Sequence, residues 1–161
     1  MYKLNEITNK QTWNDFIINS HFRFYSFLQS WEWWELQKLS GKNTSRYAIL
    51  KENKQIWSIQ IIKVKAKRGN YYLIPHGPLI KWDYFKTLKE ILPELKIQAQ
   101  KDKMSFIRFN SVIENTKHNK QEYSKLWCID APMHEHVEDT HLLNLKKYER
   151  ELFNNIKKKD R

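Results

Sequence analysis

The segment Trp57-Ser58-Ile59-Gln60-Ile61 constrains the fold of this chain more than any other. Apolar side chains alternate with polar ones, and a period of two is the repeat of a strand with one buried face. A helix would scatter the same five positions around its axis. The flanks complete a hairpin: Arg46–Lys51 is one arm, Glu52-Asn53-Lys54 the turn, and Gln55–Lys65 the other arm. Arg68-Gly69-Asn70 marks a second turn and Tyr71–Ile74 a further strand. Pro75-His76-Gly77-Pro78 then interrupts regular structure.

Helices surround this meander. Thr12 followed by Asp15 reads as a helix start, with Trp13, Phe16 and Ile17 on one apolar face. A second helix starts at Ser26 or Ser30, and Gly41 suits the left-handed position just past its end. Within it Trp33, Leu36 and Leu39 recur at spacing three. Between Tyr84 and Lys101 the apolar Phe85, Leu88, Leu92, Leu95 and Ala99 stand three or four apart, an amphipathic helix that Pro93 should kink or split. Ser105–Phe109 reads as a strand and Asn110–Lys125 as an ill-defined polar segment. Leu126–Ile129 and Thr140–Leu145 read as strands, and Tyr148, Leu152 and Ile156 as a last helix. The order is mixed α+β, and 161 residues suffice for one domain with a hydrophobic core.

Charge narrows the partners. A net charge of +11 favours an anionic one: nucleic acid, a phosphorylated small molecule or an anionic membrane surface. The competing account is a coding bias that puts lysine wherever a polar residue will do. One cysteine, Cys128, excludes an intramolecular disulfide and a CxxC zinc pair, and is compatible with the cytoplasm. No window approaches 18 consecutive apolar residues and the N-terminal residues do not resemble a signal peptide, so any membrane contact would be peripheral.

Several segments, in order, carry a family resemblance. Phe27-Leu28-Gln29-Ser30-Trp31-Glu32-Trp33, with Lys38 and Gly41 behind it, resembles the FLQS-x-x-W opening of Fem-type aminoacyltransferases. Tyr72-Leu73-Ile74-Pro75-His76-Gly77-Pro78 is similar to that family's Y-x-P-R-G-P segment, and Ser105-Phe106-Ile107-Arg108-Phe109 to its F-(I/L)-R-(I/F) strand. The stretch from Thr140 through Leu145, with a helix closing on Lys157-Lys158-Lys159-Asp160-Arg161, looks like the family's T-x-x-(I/L)-D-L…K-K-x-x-R element. Two positions depart from the pattern: His76 stands where the family has arginine, and Asp160 where it has threonine.

The resemblance spans nearly the whole chain and implies a GNAT-like fold (the acetyltransferase type): a mixed, largely antiparallel sheet flanked by helices. Residues 1–161 would be a single N-terminal domain, without the family's second domain. The implied activity is transfer of an amino acid from aminoacyl-tRNA to the stem peptide of a lipid- or nucleotide-linked peptidoglycan precursor. No metal or coenzyme A is implied. Glycines at 41, 69 and 77 alone cannot build the glycine-rich turn that a coenzyme A pyrophosphate requires.

The resemblance also implies binding residues. Lys38 falls near a phosphate-contacting lysine, with Gln37 the other candidate; the alternative is a solvated helix lysine. A Tyr72 hydroxyl can hydrogen-bond the precursor, His76 can donate in place of arginine, and Gly77 permits close backbone approach or positive φ. The plain alternative is a turn beside a buried tyrosine. Arg161 would grip the precursor's phosphates, and Lys157–Lys159 would bind tRNA or be a solvated helix end. No residue is an evident general base, so the catalytic residue stays unknown.

Other constellations carry less. Trp31, Trp33 and Trp34 cannot all face the core from one short helix, so some line a groove or an interface. His134, His136, Asp139 and His141 have no standard zinc spacing. Cys128 sits in an apolar segment and reads as a structural thiol. Two further functions stay open: a split, non-catalytic half that needs a partner chain, and a basic nucleic-acid-binding module.

Overall fold

The computed structural model describes residues 2–20, 22, 25–52, 54–80, 83–133, 135–136 and 144–156, without the side chains of Tyr2 and Lys3. The chain divides into two compact units, Met1–Ala131 and Pro132–Arg161. In the first, β1 (Tyr2–Glu6) and α1 (Lys10–Ser20) precede a 3-10 helix (Phe27–Gln29) and α2 (Trp31–Leu39). Next come β2 (Asn43–Lys51), β3 (Lys54–Val64), β4 (Tyr71–Pro75) and β5 (Leu79–Ile80). Then α3 (Tyr84–Lys101), β6 (Phe106–Asn110) and α4 (Lys117–Lys125) follow. Within the second unit the described helix is α5 (Glu149–Asn154). The strands form one mixed sheet in the order β1-β2-β3-β4-β6, with β5 against β3. All pairs are antiparallel except β4 with β6. The mixed, largely antiparallel sheet with flanking helices is the architecture expected.

Local chemistry sets the helix starts. The Asn9 side chain accepts the Thr12 N–H at 2.9 Å, so α1 begins before Thr12. Both candidate serines act as caps: Ser26 accepts the Leu28 N–H at 3.2 Å for the 3-10 helix, and Ser30 accepts the Trp33 N–H at 3.1 Å for α2. Gly41 closes α2 at φ +80°.

Both faces of the sheet are covered. On one, Leu88, Ile91, Leu95 and Ala99 of α3 pack with Ile59, Ile61, Tyr72 and Ile74. Burying each of the larger aliphatic side chains contributes about 1.5–3 kcal/mol. On the other face, Ile7, Trp13 and Ala48 form a smaller cluster with Ile17 and Trp31. Ser58 and Gln60 are therefore fully buried, not solvent-facing as their polarity suggests. Gln60 meets the cost by donating to the carbonyls of Gln29 and Ser30 at 2.8 and 3.0 Å.

Several expectations are revised. Pro93 does not split α3, because it sits on the exposed side, where the carbonyl it leaves unpaired faces water. Leu36 and Leu39 are exposed, since α2 turns Trp31 and Trp34 toward the sheet instead. The polar segment after Asn110 contains a helix, α4, capped by Thr116. Leu126–Ile129 is a turn rather than a strand, with Trp127 at positive φ and Trp127 and Ile129 both exposed. β1 and β5 carried no recognised pattern. The strand expected at Thr140–Leu145 falls mostly outside the described residues.

Candidate functional site

β4 and β6 are the one parallel pair among the described residues, and their C-terminal ends meet where Pro75 stands opposite Asn110. Crevices beyond the carboxyl ends of parallel strands are the usual binding places in α/β sheets. His76 follows at φ +49°, a left-handed conformation uncommon outside glycine. Its N–H donates to Asn110 Oδ1 at 3.1 Å, and its Nδ1 lies 2.7 Å from Ser26 Oγ. Strain of this kind persists where surroundings over-determine it, and it clusters at functional sites.

Gly77 is favoured by close approach rather than by φ. A Cβ there would meet Gln29 Nε2 at 3.0 Å and Ile74 Cγ2 at 3.1 Å. The Gly77–Pro78 peptide is cis. Gln29 is fully buried; its amide nitrogen donates to the Pro75 carbonyl. The main-chain carbonyl of Gln29 accepts from Trp13 Nε1 at 3.0 Å and from Gln60 Nε2 at 2.8 Å. The 3-10 turn and the Pro75–Pro78 segment are thus one interlocked element, built because buried backbone groups need partners. Beside it, Ser111 Oγ bonds the hydroxyls of Tyr84 and Tyr123, the latter at 2.7 Å. Burial pushes both phenols' pKa up, so they stay neutral donors.

The expected site residues are not all brought together. His76 and Gly77 are adjacent at this end. Tyr72 lies at the other end of β4, fully buried against α3, with its hydroxyl donating to the Asp102 carboxylate and to the Gln98 carbonyl. Its hydroxyl is therefore committed within the core, not offered to a ligand. Lys38 occupies the last turn of α2, exposed, its ammonium 5.4 Å from the Trp34 ring centroid. Gln37, the alternative, has its side-chain oxygen buried. The Lys42 N–H donates to Gln37, and the chain then enters β2 opposite Lys63, at the sheet end where β4 begins. Lys38 and His76 thus stand toward opposite ends of one sheet face. Arg161, Lys157–Lys159, His134, Asp139 and His141 lie outside the described residues. Among the described residues no group of His, Cys, Asp and Glu could hold a metal ion.

Arg46 escaped sequence reasoning. Its guanidinium is fully buried between Trp31 and Trp34, 3.2 and 3.7 Å from their ring centroids. It donates to the Trp31 carbonyl at 2.8 Å and stands 3.6 Å from Glu35. Burial lowers its pKa to about 10, which leaves it cationic at neutral pH. The readable signal was an arginine inside a strand together with two tryptophans at i and i+3.

Residues 8–138 match the model of the FemAB family. Among solved structures the chain is similar to FemX, at 20% identity and TM-score 0.62, covering 78% of this chain and 31% of that one. It therefore spans about a third of that protein's length. It is also similar to a ribosomal-protein-alanine N-acetyltransferase from Brucella melitensis, at 10% identity and TM-score 0.55, over 87% of this chain and 100% of that one. A glucosamine-6-phosphate N-acetyltransferase from Arabidopsis thaliana aligns at 11% identity and TM-score 0.52, over 86% and 99%. At these identities the likeness is one of fold, the acetyltransferase type. No curated protein sequence matches the chain.

Proposed function

The chain belongs to the FemAB family, and from that premise we propose that it is the acceptor-binding part of a Fem-type aminoacyltransferase. Its acceptor is the stem peptide of a lipid- or nucleotide-linked peptidoglycan precursor, and its donor is an aminoacyl-tRNA. The acceptor amine attacks the ester carbonyl, a C–N bond forms, the C–O bond to the tRNA ribose breaks, and the proton lost by the amine is taken up, by way of solvent, by the departing ribose oxygen. Positioning the two reactants supplies most of the acceleration.

The observation that carries this reading is the interlock of Gln29 with Pro75 and Gly77. It lies inside the family match and holds His76 at the ends of the parallel strands. In this reading His76 faces the stem peptide, the buried Gly77 lets Gln29 hold the segment that carries it, and Lys38 takes the diphosphate. Tyr72 supports β4 from the core.

Calorimetry with a nucleotide-linked precursor tests it. Binding is expected, weakened at least tenfold by Lys38→Ala and by His76→Ala. A full gene product that shows no heat of binding removes the reading.

A further inference from the structure

We propose that the end of the sheet opposite His76 is a docking surface for an anionic lipid bilayer. Three turns converge there. Asn43 stands opposite Lys63, Val64 opposite Tyr71, and Tyr71 opposite Phe106, so the turns before β2, between β3 and β4, and before β6 are neighbours. The Ser105 N–H joins the last two by donating to the Asn70 carbonyl at 2.7 Å.

Each turn contributes exposed cations. The first carries Lys42, the second Lys65, Lys67 and Arg68, the third Lys101 and Lys103. The one acid within these three turns, Asp102, is held by Lys63 at 2.7 Å. Among the described residues around Ile80 and the β2–β3 turn, at the other end, Lys51, Lys54 and Lys86 stand among Glu52, Asp83 and Glu90. A lysine-rich composition alone does not place six exposed cations on three adjoining turns; strand register does.

Apolar groups accompany the charge. Leu39 is 85% exposed and Leu36 57% exposed. At i and i+3 they share one side of α2. Phe106 is 48% exposed and stacks on Tyr71, with centroids 4.8 Å apart, on the sheet face that α2 covers. Nucleic acid rewards cations and aromatic faces but gains nothing from exposed leucines. The headgroup–acyl boundary takes all three. The proposal deepens the acyltransferase reading and rests on it for one point: the acceptor is the lipid-linked form. Its diphosphate then meets Lys38 at the headgroup level, and its peptide rises along the α2 face toward His76.

Co-sedimentation of the full chain with vesicles tests the surface. Phosphatidylglycerol-containing vesicles should bind it, and pure phosphatidylcholine vesicles should not. The double variant Lys67→Glu/Arg68→Glu should lower partitioning at least tenfold, and Leu39→Ser several-fold, with circular dichroism unchanged. Equal binding to both vesicle types, or undiminished binding by the double variant, overturns the proposal. So does unchanged binding by Leu39→Ser, which would leave a purely electrostatic patch. Loss of tRNA affinity in the double variant with vesicle binding intact would assign the surface to RNA instead. Calorimetry with the nucleotide-linked precursor on the same variants keeps the two readings apart. Wild-type protein that binds vesicles but no precursor retains the docking surface and loses the acyltransferase reading.

Discussion

The Gln29 side-chain amide donates to the main-chain carbonyl of Pro75, a residue 46 positions away in sequence. The same amide nitrogen stands 3.0 Å from where a Cβ on Gly77 would lie. One buried glutamine thus sets both the conformation of the Pro75–Pro78 segment and the residue type allowed within it.

Gly77→Ala should destabilise the fold by about 1–3 kcal/mol, as overpacking against a fixed neighbour does. Combining it with Gln29→Ala should cost less than the sum of the single changes, because the clashing amide is gone. Urea unfolding of the three variants measures the coupling; strict additivity would contradict the contact.

His76→Gly should leave stability within about 1 kcal/mol of the wild type, since relief of the left-handed backbone offsets loss of the Ser26 hydrogen bond. Precursor affinity should fall at least tenfold. Thermal unfolding and calorimetry on one preparation separate the two effects.

The Tyr72–Asp102–Lys63 group predicts two pH limits. Burial pushes the Asp102 carboxyl up, but bonds from Lys63, Tyr72 and Gln98 outweigh it and hold the pKa below the ordinary value. A depressed carboxylate stabilises the fold above its unfolded pKa of about 3.9, and that stability is lost as pH falls below it. Burial first, and then Asp102, push the Tyr72 phenol up. Its stabilisation is complete below about pH 10 and is lost as pH rises further. Urea midpoints against pH should therefore fall at both ends, and Asp102→Asn should flatten the acid limb.

Arg46→Met should change stability by no more than about 1 kcal/mol, because an apolar chain of similar length replaces a buried cation two of whose nitrogens lack partners. Arg46→Ala should cost about 3 kcal/mol through the cavity left between Trp31 and Trp34. A shift in tryptophan emission should accompany the second change but be small in the first.

The hairpin, β4, α3 and β6 were legible in local pattern, because period two and spacings of three and four report which side chains a strand or helix buries. α4 was not, since its residues are polar all round and only the Thr116 cap marks it. At the site, His76 and Gly77 were legible as a motif. Gln29 belongs to a legible motif although its task does not, and of the two readings of Tyr72 the structure holds the buried one.

The sequence by itself determined the elements, the break after Ile74 and the family resemblance, all of which depend on neighbours along the chain. Tertiary structure alone decided that Gln29 meets Gly77, that Arg46 lies between two tryptophans, and that three turns with exposed cations, far apart in sequence, adjoin at one end of the sheet. Those outcomes depend on strand register and on the covering of both sheet faces, and neither leaves a periodic trace in any short window of sequence.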